Sequence, residues 1–299
     1  MSLIKVIFGD SSDMHEIENE SVSLVLTSPP YYNAPFDFPG FFKSYDDYLD
    51  LLKRVGKEIY RVLHKGRNAV FVTMDMRVDG VLYPITADLI KTMQSLGFQY
   101  QERIIWKKPE AYVRISGRSG ILIQHPYPMY YYPDNIFEDI VVFRKPGEPV
   151  RKKDERSKID VNRFQKEKWY LNIWEITNVV PQIWWSKYTA PFPDELAERI
   201  ISLYSYVGET VLDPFLGSGT TCVVAMSLNR NCIGYEIDIE LKEVIKKRLH
   251  ADVQRLTQSD TITFTERADA KHIRSQLEQK INENLQKKSV SRNKQENNS

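Results

Sequence analysis

Short apolar runs alternate with segments of helical periodicity along much of this chain, and that alternation constrains its fold more than any other feature. Leu3 to Phe8 is apolar and closes on Gly9-Asp10. Ser21 to Leu26 is a second run, and it closes on Ser28-Pro29-Pro30. Proline cannot donate to a β-ladder, so the chain must leave a sheet there. Between Asp46 and Leu63, the residues Tyr48, Leu51, Leu52, Val55, Ile59 and Val62 recur at helical spacing, and Lys65-Gly66 is expected to stop that helix. Ala69 to Met74 reads as a buried strand, Ile85 to Leu96 as a helix ended by Gly97, and Tyr100 to Trp106 as a further strand. Short strands separated by longer helices predict a parallel α/β sheet.

From about Pro109 to Trp185 the rhythm breaks. Aromatic residues gather, among them Tyr112, Tyr127, Tyr130, Trp169, Trp174 and Trp184. Arg144 to Lys168 is rich in Lys and Arg. The stretch reads as an inserted, less regular region. Regularity returns at Pro193-Asp194-Glu195, where proline suits a first helical turn and the acids suit its positive dipole end. Leu196, Ile200 and Leu203 face inward, and Gly208 is expected to end the helix. Thr210 to Leu212 follows as a strand, Thr220 to Leu228 as a helix, Cys232 to Tyr235 as a strand, and a last core helix starts near Glu240. Ile273, Leu277, Ile281 and Leu285 predict one more amphipathic stretch before a polar, disordered tail. The predicted division is 1–109, 110–185, 186–255 and 256–299.

The formal net charge is +1, so the whole chain is no polycation, and any nucleic-acid contact must be local. Arg151, Lys152 and Lys153 are the first candidates for phosphate contacts. Leu3 to Phe8 is too short for the apolar core of a secretory leader, and no run reaches membrane-spanning length. Cys222 and Cys232 predict no disulfide framework and read as small core residues. A reduced, cytoplasmic protein without a metal site is expected.

Two strand ends carry the chemistry. Asp213 closes one strand, and Phe215-Leu216-Gly217-Ser218-Gly219 leads into the helix that starts at Thr220. Glycines there let backbone turn tightly and approach a ligand at the carboxyl edge of a parallel sheet. Glu236, at the end of the next strand, stands where an acid accepts hydrogen bonds from ribose hydroxyls. The Gly-Lys-Ser/Thr of a phosphate-binding loop and the third glycine of a dinucleotide site are both missing. A ligand with a ribose but no pyrophosphate fits, and S-adenosyl-L-methionine is such a ligand. The other strand end is Thr27-Ser28-Pro29-Pro30-Tyr31. An exocyclic amine on a base is a poor nucleophile until its nitrogen becomes more tetrahedral. Ser28 Oγ and a backbone carbonyl of the Pro29-Pro30 turn offer acceptors for its two N–H groups, and Tyr31 offers a face for stacking. This is preorganisation for direct transfer, without a covalent enzyme intermediate. Neither cysteine follows proline, as a ring-carbon methylating nucleophile usually does. A base inside a duplex does not reach such a pocket, so base flipping is implied.

With these residues in place the chain resembles the prokaryotic DNA amino-methyltransferases. Ser28-Pro29-Pro30-Tyr31 looks like their catalytic motif IV, Asp213 to Thr221 like motif I, and Tyr235-Glu236-Ile237-Asp238 like motif II. Thr189-Ala190-Pro191-Phe192-Pro193 resembles motif X, and Asp10 is similar to the motif III acid that reaches the cofactor adenine. Trp106-Lys107-Lys108-Pro109 is like the segment that precedes the recognition region. Catalytic motif first and cofactor loop last is the beta arrangement. The resemblance implies a Rossmann-like S-adenosylmethionine-dependent methyltransferase fold with permuted motif order and an inserted target-recognition region at 110–185. It implies cofactor contacts at Asp10, Thr27, Pro191, Phe192, Asp213, Phe215, Gly217, Ser218, Gly219, Thr220 and Glu236, and catalytic roles for Ser28, Pro29, Pro30 and Tyr31. It further implies a double-stranded DNA substrate, a restriction-modification setting with a cognate endonuclease and, in many members, a homodimer. Serine at the first motif IV position leans toward cytosine N4. Adenine N6 is the nearest alternative, and an inactive DNA-binding module is the alternative of another class.

Overall fold

The computed structural model describes residues 2–34, 41–109, 126–128, 133, 135–179, 191–251, 260–268 and scattered positions from 270 to 283. Its strands are β1 (Leu3–Phe8), β2 (Val22–Thr27), β3 (Leu63–Thr73), β4 (Met76–Val78), β5 (Val81–Tyr83), β6 (Gln99–Lys107), β7 (Phe137–Arg144), β8 (Ile173–Glu175), β9 (Thr210–Asp213), β10 (Asn231–Glu236) and β11 (Thr261–Glu266). Its helices are α1 (Tyr45–Val62), α2 (Ile85–Ser95), α3 (Val161–Lys166), α4 (Asp194–Tyr204), α5 (Thr220–Ser227) and α6 (Lys242–Ala251). Nine strands form one sheet in the order β11-β1-β10-β9-β2-β3-β7-β6-β8, while β4 and β5 form a separate hairpin. Within the large sheet β7 alone runs against the others.

Side chains alternate across the strands, and both faces are covered. Ile4, Val6 and Phe8 pack with Leu196 and Ile200 of α4, Ala225 of α5 and Ile245 of α6. Ile7, Val25 and Phe71 pack on the other face with Tyr48, Val55 and Ile59 of α1 and Leu89 of α2. The α/β sheet expected from the alternation is therefore present.

Several boundaries differ from the sequence reading. Helix α1 starts where Ser44 Oγ accepts the Asp47 N–H at 3.1 Å. It ends at Val62, before Lys65-Gly66, because Leu63 is already extended and starts β3. Gly66 serves a different purpose. Its φ is +73°, and a Cβ there would lie 2.0 Å from the Glu148 carbonyl oxygen. Helix α4 opens at Pro193-Asp194 as expected but closes at Ser205, whose hydroxyl donates to Ile201 O at 2.6 Å. Gly208 lies instead in the turn before β9, at φ +81°.

The region between Pro109 and Trp185 is less of an insert than its irregular sequence implies. Strand β7 sits inside the sheet between β3 and β6, with Ile140 to Phe143 fully buried. Trp169 and Trp174 are buried aromatics. Part of the basic run is also structural. The Lys145 ammonium is buried and donates to Leu63 O and Glu20, and Lys152 pairs with Glu209. Tyr112, Tyr130, Trp184, the tail, and Ile273, Leu277, Ile281 and Leu285 of the expected last helix lie outside the described residues, while the described positions from 270 to 283 are helical. The sequence reading missed β11, which pairs in parallel with β1 at the sheet edge.

Cys222 and Cys232 correct a second expectation, because they form a disulfide. Both are fully buried, as core residues should be. The first turn of α5 packs on the start of β10 and brings their Cα atoms within 5.2 Å, a tertiary proximity that a count of two cysteines does not reveal. Among the described residues no helix is long and apolar enough to cross a membrane, and no group of acids, histidines and cysteines has the arrangement of a metal site.

Candidate active site

Strands β1, β10, β9 and β2 are consecutive parallel neighbours, so the loops that follow them emerge along one edge. These loops enclose a cavity of about 750 Å³, within the ~300–1,000 Å³ common for small-molecule clefts. Ser28, Pro29, Pro30 and Tyr31 after β2 share this cavity with Asp213, Phe215, Gly217, Ser218 and Thr220 after β9. Asp10 after β1, Glu236 at the end of β10, and Pro191 and Phe192 ahead of α4 complete the predicted set that lines it. Thr189 and Ala190 lie outside the described residues.

Thr27 and Gly219 do not line the cavity. Thr27 is fully buried, and its hydroxyl donates to Asp213 Oδ1 at 2.6 Å. Thr221 donates to Asp213 Oδ2 at 2.6 Å, and the Phe215 N–H donates to Oδ1 at 3.0 Å. Asp213 thus ties the end of β2 to the glycine loop. Burial pushes its carboxyl up to about 6, against the pull of those hydrogen bonds. Gly219 caps α5 in a left-handed conformation, φ +94°, with its missing Cβ facing Ile245 rather than the cavity.

Glu236 is 6% exposed and accepts the Gly217 N–H at 2.7 Å and the Asp238 N–H at 2.8 Å. Burial pushes its carboxyl up to about 8 despite those two donors, and the neighbouring carboxylates Asp238 and Asp213 push the same way. Gly217 has φ +55°, and a Cβ built there meets no atom within 4 Å. Backbone at that point borders open space, as a close-approach glycine should.

Ser28 Oγ lies 3.4 Å from Tyr31 Oη, and Tyr31 Oη donates to Glu138 Oε2 at 2.6 Å. Glu138 Oε1 pairs with Lys108 Nζ at 2.5 Å. Because β7 runs against the sheet, its first residues reach the edge where the other strands end. Glu138 therefore meets the end of β6, with Trp106 as its register partner.

Three groups of residues escaped the sequence reading. Glu138 of β7 and Lys108, just after β6, support the Ser-Pro-Pro-Tyr loop from distant parts of the chain. Arg248 of α6 donates to Ser218 Oγ at 2.6 Å and Thr220 Oγ1 at 2.9 Å, anchoring the glycine loop from below. Arg267, just after β11, donates to Asp10 O at 2.9 Å and to Glu16 Oε2 at 2.7 Å, and so fixes the loop that carries Asp10. The cavity also has a rim from α1, where Lys53, Arg54 and Lys57 line it and are exposed.

The chain's residues fit S-adenosyl-L-methionine. Glu236 and Asp10 offer acids for the nucleoside end, the Gly217 backbone leaves space beside them, and Phe192, Phe215 and Leu241 supply apolar walls. The DNA methylase family covering N6 and N4 amines matches residues 22–247. Type II methyltransferase M.MjaI of Methanocaldococcus jannaschii is 34% identical over 303 residues, covering 88% of this chain and 96% of the relative. DNA adenine methyltransferase YhdJ of Escherichia coli K12 is 27% identical, covering 82% of each chain. A DNA modification methylase of Thermus thermophilus, solved with S-adenosyl-L-methionine, superposes with a TM-score of 0.67 at 30% identity, over 87% of this chain and 99% of that one. PvuII DNA methyltransferase, cytosine-N4-specific, shares the fold with a TM-score of 0.65 at 20% identity, over 94% of each chain. This chain therefore belongs to the S-adenosylmethionine-dependent N6/N4 DNA methylase family.

Proposed function

We propose that the protein methylates the exocyclic N4 amine of a cytosine flipped out of duplex DNA, by direct transfer. The observation that carries this reading is that Ser28, a neutral acceptor, opens into the same cavity as Gly217 and Glu236. S-adenosyl-L-methionine, when bound, supplies an electrophilic methyl group. Gly217, Glu236 and Asp10 hold the donor's nucleoside end, and Phe192 and Phe215 exclude water from its neighbourhood. Ser28 Oγ and a carbonyl of the Pro29-Pro30 turn accept the two N–H bonds of the substrate amine and favour its pyramidal form. Such fixed acceptors act most strongly where charge develops and water is scarce. Tyr31, Phe41 and Phe42 are among the aromatic residues that line the cavity.

Residues 110–185 would carry target recognition, with Arg151 and Lys153 and the α1 rim among the phosphate contacts. Such contacts set position more than sequence. A cytoplasmic enzyme paired with an endonuclease for the same site, and a homodimer, complete the proposal.

Incubation with labelled methyl donor and mixed-sequence DNA, followed by nucleoside identification, tests the base. N4-methylcytosine is expected. N6-methyladenine as the only product overturns the cytosine reading and leaves the adenine one, to which the family is equally open. Donor binding without methylation of any DNA favours an inactive binding module.

A further inference from the structure

Behind Ser28 runs a line of hydrogen bonds that the methyl-transfer reading does not use. Ser28 Oγ donates to Tyr31 Oη, Tyr31 Oη donates to Glu138, and Glu138 is paired with Lys108. Tyr31, Glu138 and Lys108 are 4%, 6% and 6% exposed, and the Lys108 ammonium lies 5.0 Å from the centroid of the Trp106 ring. A buried ion pair is weak evidence for stability, since apolar side chains of similar volume often pack as well or better. Its effect on direction is stronger. A carboxylate only accepts hydrogen bonds, so the Tyr31 proton is committed to Glu138. The phenol oxygen then presents a lone pair to Ser28, whose single hydroxyl proton turns toward it.

We propose that the Lys108–Glu138 pair acts as a positioning device that sets the polarity of Ser28. With its proton drawn back toward Tyr31, Ser28 Oγ faces the cavity as an acceptor only. A hydroxyl free to rotate would spend part of its time presenting a proton to the substrate N–H, opposing the arrangement that the amine needs. Lys108 holds the other carboxylate oxygen of Glu138, and Glu138 supplies the direction. This deepens the reading of Ser28 as the amine's acceptor and rests on it. Lys108 closes the Trp106-Lys107-Lys108 segment, so the strand leading into the recognition region also holds the reacting end of the site.

Two measurements test it. The first needs no DNA. In protein carrying tyrosine labelled with carbon-13 at Cζ, the Tyr31 resonance is assigned by its loss in Tyr31→Phe. It is expected to move in Glu138→Gln and in Lys108→Met, with most other tyrosine signals in place. A Tyr31 signal unmoved by both substitutions overturns the proposal. The second is a kinetic cycle. Tyr31→Phe keeps the ring and removes the link, and Glu138→Gln keeps the shape and removes the charge. Each is expected to lower kcat by about 10- to 100-fold while donor affinity stays within about twofold. The combined variant is expected to be no slower than the worse single one, because both break the same chain. Losses that multiply overturn the proposal. A paired Glu138→Met/Lys108→Met variant strands no charge and carries the same expectation for kcat. If the unaltered protein methylates no base at all, the functional reading of Ser28 fails, while the tyrosine spectrum still reports on the link.

Discussion

At the scale of single residues the site divides into groups that face the ligands and groups that hold them. Ser28→Ala should lower kcat by about 10- to 100-fold and leave donor affinity unchanged in calorimetry, because the acceptor matters most as the amine pyramidalises. Glu236 makes a different prediction. Its carboxyl sits at about 8 in the free protein, so near neutral pH it carries a proton. If the ribose hydroxyls of the proposed donor take the ionised form as acceptor, donor binding releases that proton. Affinity should therefore rise with pH up to about 8, approaching tenfold per unit, and Glu236→Gln should flatten the profile. A flat profile in the unaltered protein overturns ionisation of Glu236 on donor binding. Ser28, Gly217 and Glu236 were legible in the sequence because each is defined by its place at a strand end. Glu138, Arg248 and Arg267 were not. Their meaning lies in partners far along the chain: Tyr31 is 107 residues from Glu138, and Ser218 is 30 from Arg248. Thr27 was read as a ligand contact because it adjoins the motif, but its hydroxyl is committed to Asp213.

Elements were legible where periodicity was local. Helices α1, α2 and α4 were found within a few residues, because their apolar stripes and end signals lie within their own sequence. Strand β7 was missed because a short apolar run within irregular sequence does not declare a sheet partner or direction. Strand β11 alternates Thr261, Thr263 and Thr265 with Ile262 and Phe264, which is the pattern of an edge strand, but it lay beyond the last recognised motif. Its follower Arg267 anchors the Asp10 loop. Burial alone would raise the Glu16 carboxyl, but hydrogen bonds from Arg267 and Tyr235 hold it at about 2. Below its ordinary value of 4.5 that contribution fades as pH falls toward about 2. Arg267→Met should therefore cost about 2 kcal/mol at neutral pH in urea unfolding, with a smaller difference near pH 3, and should weaken donor binding. The bond between Cys222 and Cys232 joins α5 to β10, the two elements that carry the cofactor loop and Glu236. A loop closed over a separation of 10 residues contributes about 3 kcal/mol in the chain-entropy account. Unfolding in urea with dithiothreitol should therefore show a lower midpoint than without it.

At the scale of the whole molecule the near-zero net charge leaves DNA affinity to local surfaces. Replacing Lys53, Arg54 and Lys57 together by alanine should weaken DNA binding uniformly across sequences. It should also reduce the salt slope by up to about 3, as measured by titration at several ionic strengths. An unchanged slope removes the α1 rim from the DNA path. The overall α/β plan was legible because alternation of strand and helix is itself a sequence property, whereas strand order depends on pairings that no local signal encodes. One such pairing shapes how the protein is made. Strand β1 is seated between β10 and β11, and Leu3 is bonded to the Asn231 side chain across a sequence separation of 228 residues. On the ribosome Leu3 to Phe8 must wait, without their lateral partners, until β10 and β11 have emerged. Completion of the β10-β1-β11 edge is thereby deferred until Thr261 to Glu266 have been made, and a nascent chain halted before residue 231 is expected to leave Leu3 to Phe8 open to protease.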